Sequence, residues 1–188
     1  MKTLTPHPSA GFSLIEILVS MVVLVIGLLG FASLLVNSNK AEMESYQRVQ
    51  ALILLQDISD RINTNRKVAS CYVTPSTSGV GTGYSDTPVC GAGSTEQQTR
   101  AVADLSAWDN ALKGAAETQS GANVGAMIGA RGCVTYDTVA KQYTVTVAWQ
   151  GLSDTAAPTA GLNCGDGLYG TNAKRRVVSS VLSIADLS

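Results

Sequence analysis

Few residues in this chain could do chemistry. Its only histidine is His7. No imidazole follows, so residues 8–188 contain no Ser-His-Asp or Cys-His site. The four cysteines, Cys71, Cys90, Cys133 and Cys164, include no C-x-x-C pair. A zinc site needs close Cys pairs or Cys/His sets, so none is expected. An even cysteine count in an exported domain reads as two disulfides. Three connectivities are open, and closing the shortest loop available in each half favours Cys71–Cys90 and Cys133–Cys164. Glu16 is the only charge between Phe12 and Val36. A lone carboxylate in hydrocarbon costs at least ~2.5 kcal/mol, so it points to a function. Asp104 and Asp109, five residues apart, do not suit paired acid/base work and read as solvated charges. Gly79-Val-Gly-Thr-Gly83 lacks the spacing and the lysine of a phosphate-binding loop and reads as surface loop.

The elements that must carry these residues begin with the apolar run. At ~1.5 Å rise per residue, Phe12–Val36 is long enough to span a bilayer as a helix. A cleaved secretory signal fits less well, because its apolar region is shorter and ends in small residues. The leader at 1–10 carries Lys2 and is kept out of the helix by Pro6 and Pro8. No proline lies between Pro8 and Pro75, so the helix is expected to continue to about Lys67. Ala51, Leu54, Leu55, Ile58 and Ile62 then form one apolar face and Tyr46, Val49 and Ile53 nearly the opposite one. The first face is expected to pack on the protein's own globular domain, and the second is available to another subunit. Residues 68–95 read as loop. Ser94-Thr-Glu-Gln97 predicts a capping box. Ala101, Leu105, Trp108, Leu112 and Ala115 predict an amphipathic helix ending near Glu117. Further on, the period becomes two. One strand ends at Cys133–Tyr136, Tyr143–Trp149 is a half-buried strand, and 176–184 is the last. Lys174-Arg175-Arg176 reads as strand-edge charge that prevents pairing.

Gly11-Phe12-Ser-Leu-Ile-Glu16 resembles the processing motif of the type IV pilin family. A short polar leader, Gly-Phe at its end and an apolar run after it coincide. The resemblance implies cleavage between Gly11 and Phe12 by a prepilin peptidase, N-methylation of Phe12, and a role for Glu16 in subunit assembly. Within the family the chain looks most like PilV-type minor pilins. That likeness rests on Gly27-Leu-Leu-Gly30, Gln50–Asp57, Asp60-Arg-Ile62, Asn65-Arg66, Ala103–Trp108, Tyr143–Trp149 and Arg175-Arg176. The proline that major pilins often carry in the second half of the apolar segment is missing. Gly27, Gly30 and Ser33 stand as weak points instead.

The resemblance implies a type IV pilin fold of the α+β class. It has a leader at 1–11, a long N-terminal helix at 12–67 with 12–36 in the membrane or filament core, and a disulfide-bonded head at 68–188. The head is a small antiparallel sheet with one extra helix. A chain of 188 residues suits one domain plus a long helix. The implied function is that of a non-enzymatic minor pilin without cofactor or metal. It would be anchored in the bacterial inner membrane with its head in the periplasm, and then lie in the pilus fibre near its tip. Implied partners are the prepilin peptidase, the inner-membrane assembly platform, the major pilin, other minor pilins and a tip adhesin. A net charge of -1 argues against nucleic acid as a partner. Two alternatives are a minor pseudopilin of a type II secretion system and a membrane-anchored module binding DNA or glycan.

Overall fold

The computed structural model describes residues 11–115, 118–120, 122–123 and 127–184. The leader, with His7, and Glu117 lie outside them. Helix α1 runs Leu14–Thr64 and a 3-10 turn follows at Arg66–Tyr72. The predicted helix to Lys67 thus ends slightly early, and residues 66–72 tighten into the 3-10 turn rather than opening as loop. Strand β1, Val80–Gly81, also lies within the segment read as loop. Helix α2 is Thr95–Leu112. A small hairpin, β2 (Thr118–Gln119) and β3 (Ala122–Asn123), precedes the long strands β4 (Ile128–Asp137), β5 (Gln142–Gln150) and β6 (Arg175–Ser183). The main sheet is antiparallel with order β1-β4-β5-β6. The class is α+β, with a pilin-like architecture, as the sequence suggests.

The chain parts into two compact units, one ending at Glu42 and one beginning at Met43. The second half of α1 therefore belongs to the head. From Leu14 to Val36, within the first unit, α1 is apolar on all sides apart from Glu16 and two serines, and it is long enough to cross a membrane by length and composition. Such a helix has no intrinsic inward face.

In the head, the predicted stripe appears as buried Ala51, Leu55, Ile58 and Ile62, with Leu54 partly buried against it. Helix α2 starts at the predicted capping box. The Gln97 N–H donates to Ser94 Oγ, and the Ser94 N–H donates to the Gln97 side chain. The helix stops at Leu112, short of Glu117. Gly114 then turns back at φ 77°, its N–H bonded to the Ala111 carbonyl. Trp108 is fully buried and donates Nε1–H to the Leu54 carbonyl of α1 at 3.0 Å. On the sheet side, a Cβ at Gly132 would overlap the Trp108 ring, so glycine is what lets α2 sit this close to β4.

The predicted half-buried strand is buried on both faces. Val145, Val147 and Trp149 face the helices, as the alternation requires. Thr146 and Ala148 are also buried, because the 151–171 loop folds over the outer face. The Cys133–Cys164 disulfide holds this loop there, with Tyr169 and Val177 completing a second, smaller core. Tyr169 donates to the Gly129 carbonyl at 2.9 Å, and burial pushes its phenol up to about 12.

Candidate functional site: the N-terminal motif and the polar joints of the head

The motif residues sit at the start of α1. Gly11, Phe12 and Ser13 precede the helix, so the helical segment does not include Phe12 as the sequence reading has it. The Ser13 carbonyl accepts the Glu16 N–H at 3.0 Å, which makes Ser13 the residue that opens the helix. Glu16 lies in the first turn, where the helix dipole favours a carboxylate. Ser20 Oγ donates to the Glu16 carbonyl at 2.7 Å. Phe12, Glu16, Ser20 and Leu24 line one open groove along the helix. The Phe12 side chain is 81% exposed. A Cβ at Gly11 would meet nothing within 4 Å. No contact among the described residues requires glycine there. Among the described residues no group of three or more His, Cys, Asp and Glu side chains converges as a metal site.

The cysteines are joined as Cys71–Cys90 and Cys133–Cys164, the pairs that close the shortest loop in each half of the head. The first ties the end of the 3-10 turn to the segment leading into α2.

Two carboxylates read as solvated are not. Asp104 is 7% exposed and takes a hydrogen bond from the Tyr72 hydroxyl at 2.6 Å and one from Arg61 at 2.9 Å. Asn65 donates to the same hydroxyl and to the Gln97 carbonyl. Burial, then the bond to Asp104, holds the Tyr72 phenol well above its usual range. The paired bond to Asp57, aided by Asp104, raises the Arg61 guanidinium against the opposing effect of burial. These groups bolt the end of α1 to α2. A signal for this was present, since Asp104 falls three residues after Ala101 and four before Trp108, on the buried face. Asp109 accepts the Gly81 N–H at 2.7 Å and pairs with Lys113, so it fixes β1 to α2.

The basic cluster is also reassigned. Arg175 is 5% exposed and donates to the Leu162 and Cys164 carbonyls of the covering loop. Arg176 reaches Glu44 of α1 at 3.2 Å and the carbonyls of Ser153 and Ala173. Neither guards a strand edge. Glu44 accepts in addition from the Leu152 N–H and from the Ser153 N–H and hydroxyl. Burial raises its carboxyl, but the Ser153 bonds, the Arg176 charge and the Leu152 bond outweigh this and hold it below its ordinary 4.5. Nothing in local sequence pairs Glu44 with Arg176, which lies 132 residues away.

Residues 7–32 match the family model of the prokaryotic N-terminal methylation motif. No curated protein and no solved structure matches the chain. The motif is that of type IV pilin-like and pseudopilin proteins, and it covers Gly11, Phe12 and Glu16.

Proposed function

We propose that this protein is a minor pilin of the PilV type, cut between Gly11 and Phe12 by a prepilin peptidase and methylated at Phe12. It waits in the inner membrane on α1 with its head in the periplasm, and then enters the pilus near the tip. Its partners are the assembly platform, the major pilin, other minor pilins and a tip adhesin. The observation that carries this reading is the motif itself. Glu16 is the one charge between Phe12 and Val36, a stretch that the described residues leave uncovered, and no described residue stands within 4 Å of a Cβ placed at Gly11. A side-chain-free residue is what a peptidase needs to approach the backbone closely. The reading is of a structural subunit, not an enzyme. Cutting frees a cationic amine at Phe12. Opposite charges at ~4 Å attract by about 4 kcal/mol at an effective dielectric of about 20. Pairing of Glu16 with that amine on a neighbouring subunit offsets the burial of both and sets their axial register.

Gly11→Leu is expected to stop maturation to residues 12–188, read by intact mass. Glu16→Ala is expected to insert and be cut normally, yet fail to co-purify with other pilins from membranes. Wild-type maturation of the first variant, or wild-type co-purification and piliation of the second, would sink the reading. Deletion is expected to remove surface pili and twitching. Lost exoprotein secretion with normal pili would assign the chain to the pseudopilins instead.

A further inference from the structure

Strand β6 closes one side of the sheet, and among the described residues no strand pairs with its outer edge. Its ladder to β5 runs from Arg175 to Ser183 without a bulge or a register shift. The opposite edge of the sheet is β1, only two residues long. Natural proteins guard long edges with lysine, proline, bulges or short length, because free N–H and C=O groups recruit foreign strands. Residues 177–183 are Val-Val-Ser-Ser-Val-Leu-Ser, without a charge or a proline. The two arginines that begin the strand do not guard it, since both are engaged by the covering loop and by Glu44. Val181 is 55% exposed.

Beside the start of this edge, a cleft of about 340 Å³ lies between α1 and β6, lined by Ser45, Arg48, Trp149, Val177 and Val178 among others. Arg48 is exposed and has no ion-pair partner among the described residues. Trp149 is 3% exposed and its Nε1–H is buried without a hydrogen-bond partner. A buried donor left unmade is costly.

We propose that the β6 edge takes up an extended strand from another subunit of the assembly. That strand places an apolar side chain beside Val178, on the helix face of the edge, and a carboxylate opposite Arg48. Backbone bonds to β6 supply the affinity, and the cleft supplies the choice of partner. The proposal deepens the assembly reading and rests on it.

The test uses the full chain, tagged after Ser188 and extracted in detergent from membranes of its own cells. Ser180 is paired with Val145 and so points to the helix side of the edge strand. A lysine there escapes to water from a free edge but is trapped once a strand is added. Ser179, its neighbour, points to the opposite face and is itself exposed. In Ser180→Lys, co-purified pilin subunits, counted by mass spectrometry, are expected to fall about tenfold or more, since a trapped ammonium costs at least that. Ser179→Lys is expected to keep them. Hydrogen exchange of the wild-type complex should show added protection at every second amide of 177–183, compared with the chain stripped of its neighbours. That pattern decides the claim even if Ser180→Lys fails to fold. Equal exchange in both states would overturn it. Wild-type yields for Ser180→Lys beside losses for Glu16→Ala would overturn the strand claim and leave the assembly reading standing. Retained neighbours in both variants would overturn both. A complex made only of copies of this chain joined through β6 would overturn the choice of partner.

Discussion

The two halves of α1 are both rich in Leu, Ile and Val, yet the chain treats them oppositely. Every large apolar side chain from Phe12 to Val36 is about half exposed or more, while Ala51, Ile58 and Ile62 are fully buried. The difference lies in arrangement more than in hydrophobicity. The first half is apolar all round and needs a surrounding medium of lipid or other helices. The second half has a stripe, with Asp57, Asp60 and Arg61 beside it, and is satisfied by its own head. One half is specified against what lies outside the chain, the other against residues within it.

If that contrast holds, mutations in the head change stability and mutations before Val36 do not. The largest loss is expected for Trp108→Ala, roughly 3–5 kcal/mol for a buried tryptophan, because the ring fills the space between α1, α2 and Gly132 and the Leu54 carbonyl loses its donor. Urea unfolding of the full chain in detergent measures it. Replacing Cys133 and Cys164 together by serine should cost about 3–4 kcal/mol in the chain-entropy model. It should also speed hydrogen exchange at Thr146 and Ala148 by uncovering the outer face. Asp104→Asn keeps the shape but removes the charge that Arg61 and Tyr72 share. A loss of about 1–3 kcal/mol is expected for a hydrogen bond to a charged group. A neutral result would mean that the joint between α1 and α2 is held by packing alone.

A smaller effect is expected at Glu44, and it depends on pH. Its folded carboxyl lies below the ordinary 4.5, so its contribution is fully present above 4.5 and is lost as pH falls through the folded value. Glu44→Gln should therefore flatten the acid limb of the stability curve below that pH and lower stability slightly at neutrality. A variant with the wild-type acid slope would remove Glu44 from the joint. The smallest effect sharpens the contrast most. Glu16→Ala should leave the thermal midpoint of the head unchanged, even though the proposed role in assembly predicts a severe loss of co-purified pilins. A shifted midpoint would show that the two halves of α1 are not separately specified.

Much of this was legible in local order. The apolar run, the Gly11-Phe12…Glu16 spacing, the stripe at 51–62, the capping box at Ser94 and the alternation at 143–149 are short-range patterns. Helix and strand geometry convert them directly into faces and ends. They also set which cysteines lie near enough to close short loops. Tertiary structure decided what those patterns leave open. The 151–171 loop buries the outer face of β5, which alternation alone leaves to water. Asp104 and Asp109 carry charges that read as solvated until the 3-10 turn, Arg61 and β1 are brought against them. Arg175 and Arg176 point inward because their acceptors, Leu162, Cys164, Ser153 and Glu44, arrive from elsewhere in the chain. Periodicity tells a side chain which way to face. The partner it meets there depends on strand order and loop closure, and those form only when the whole head folds.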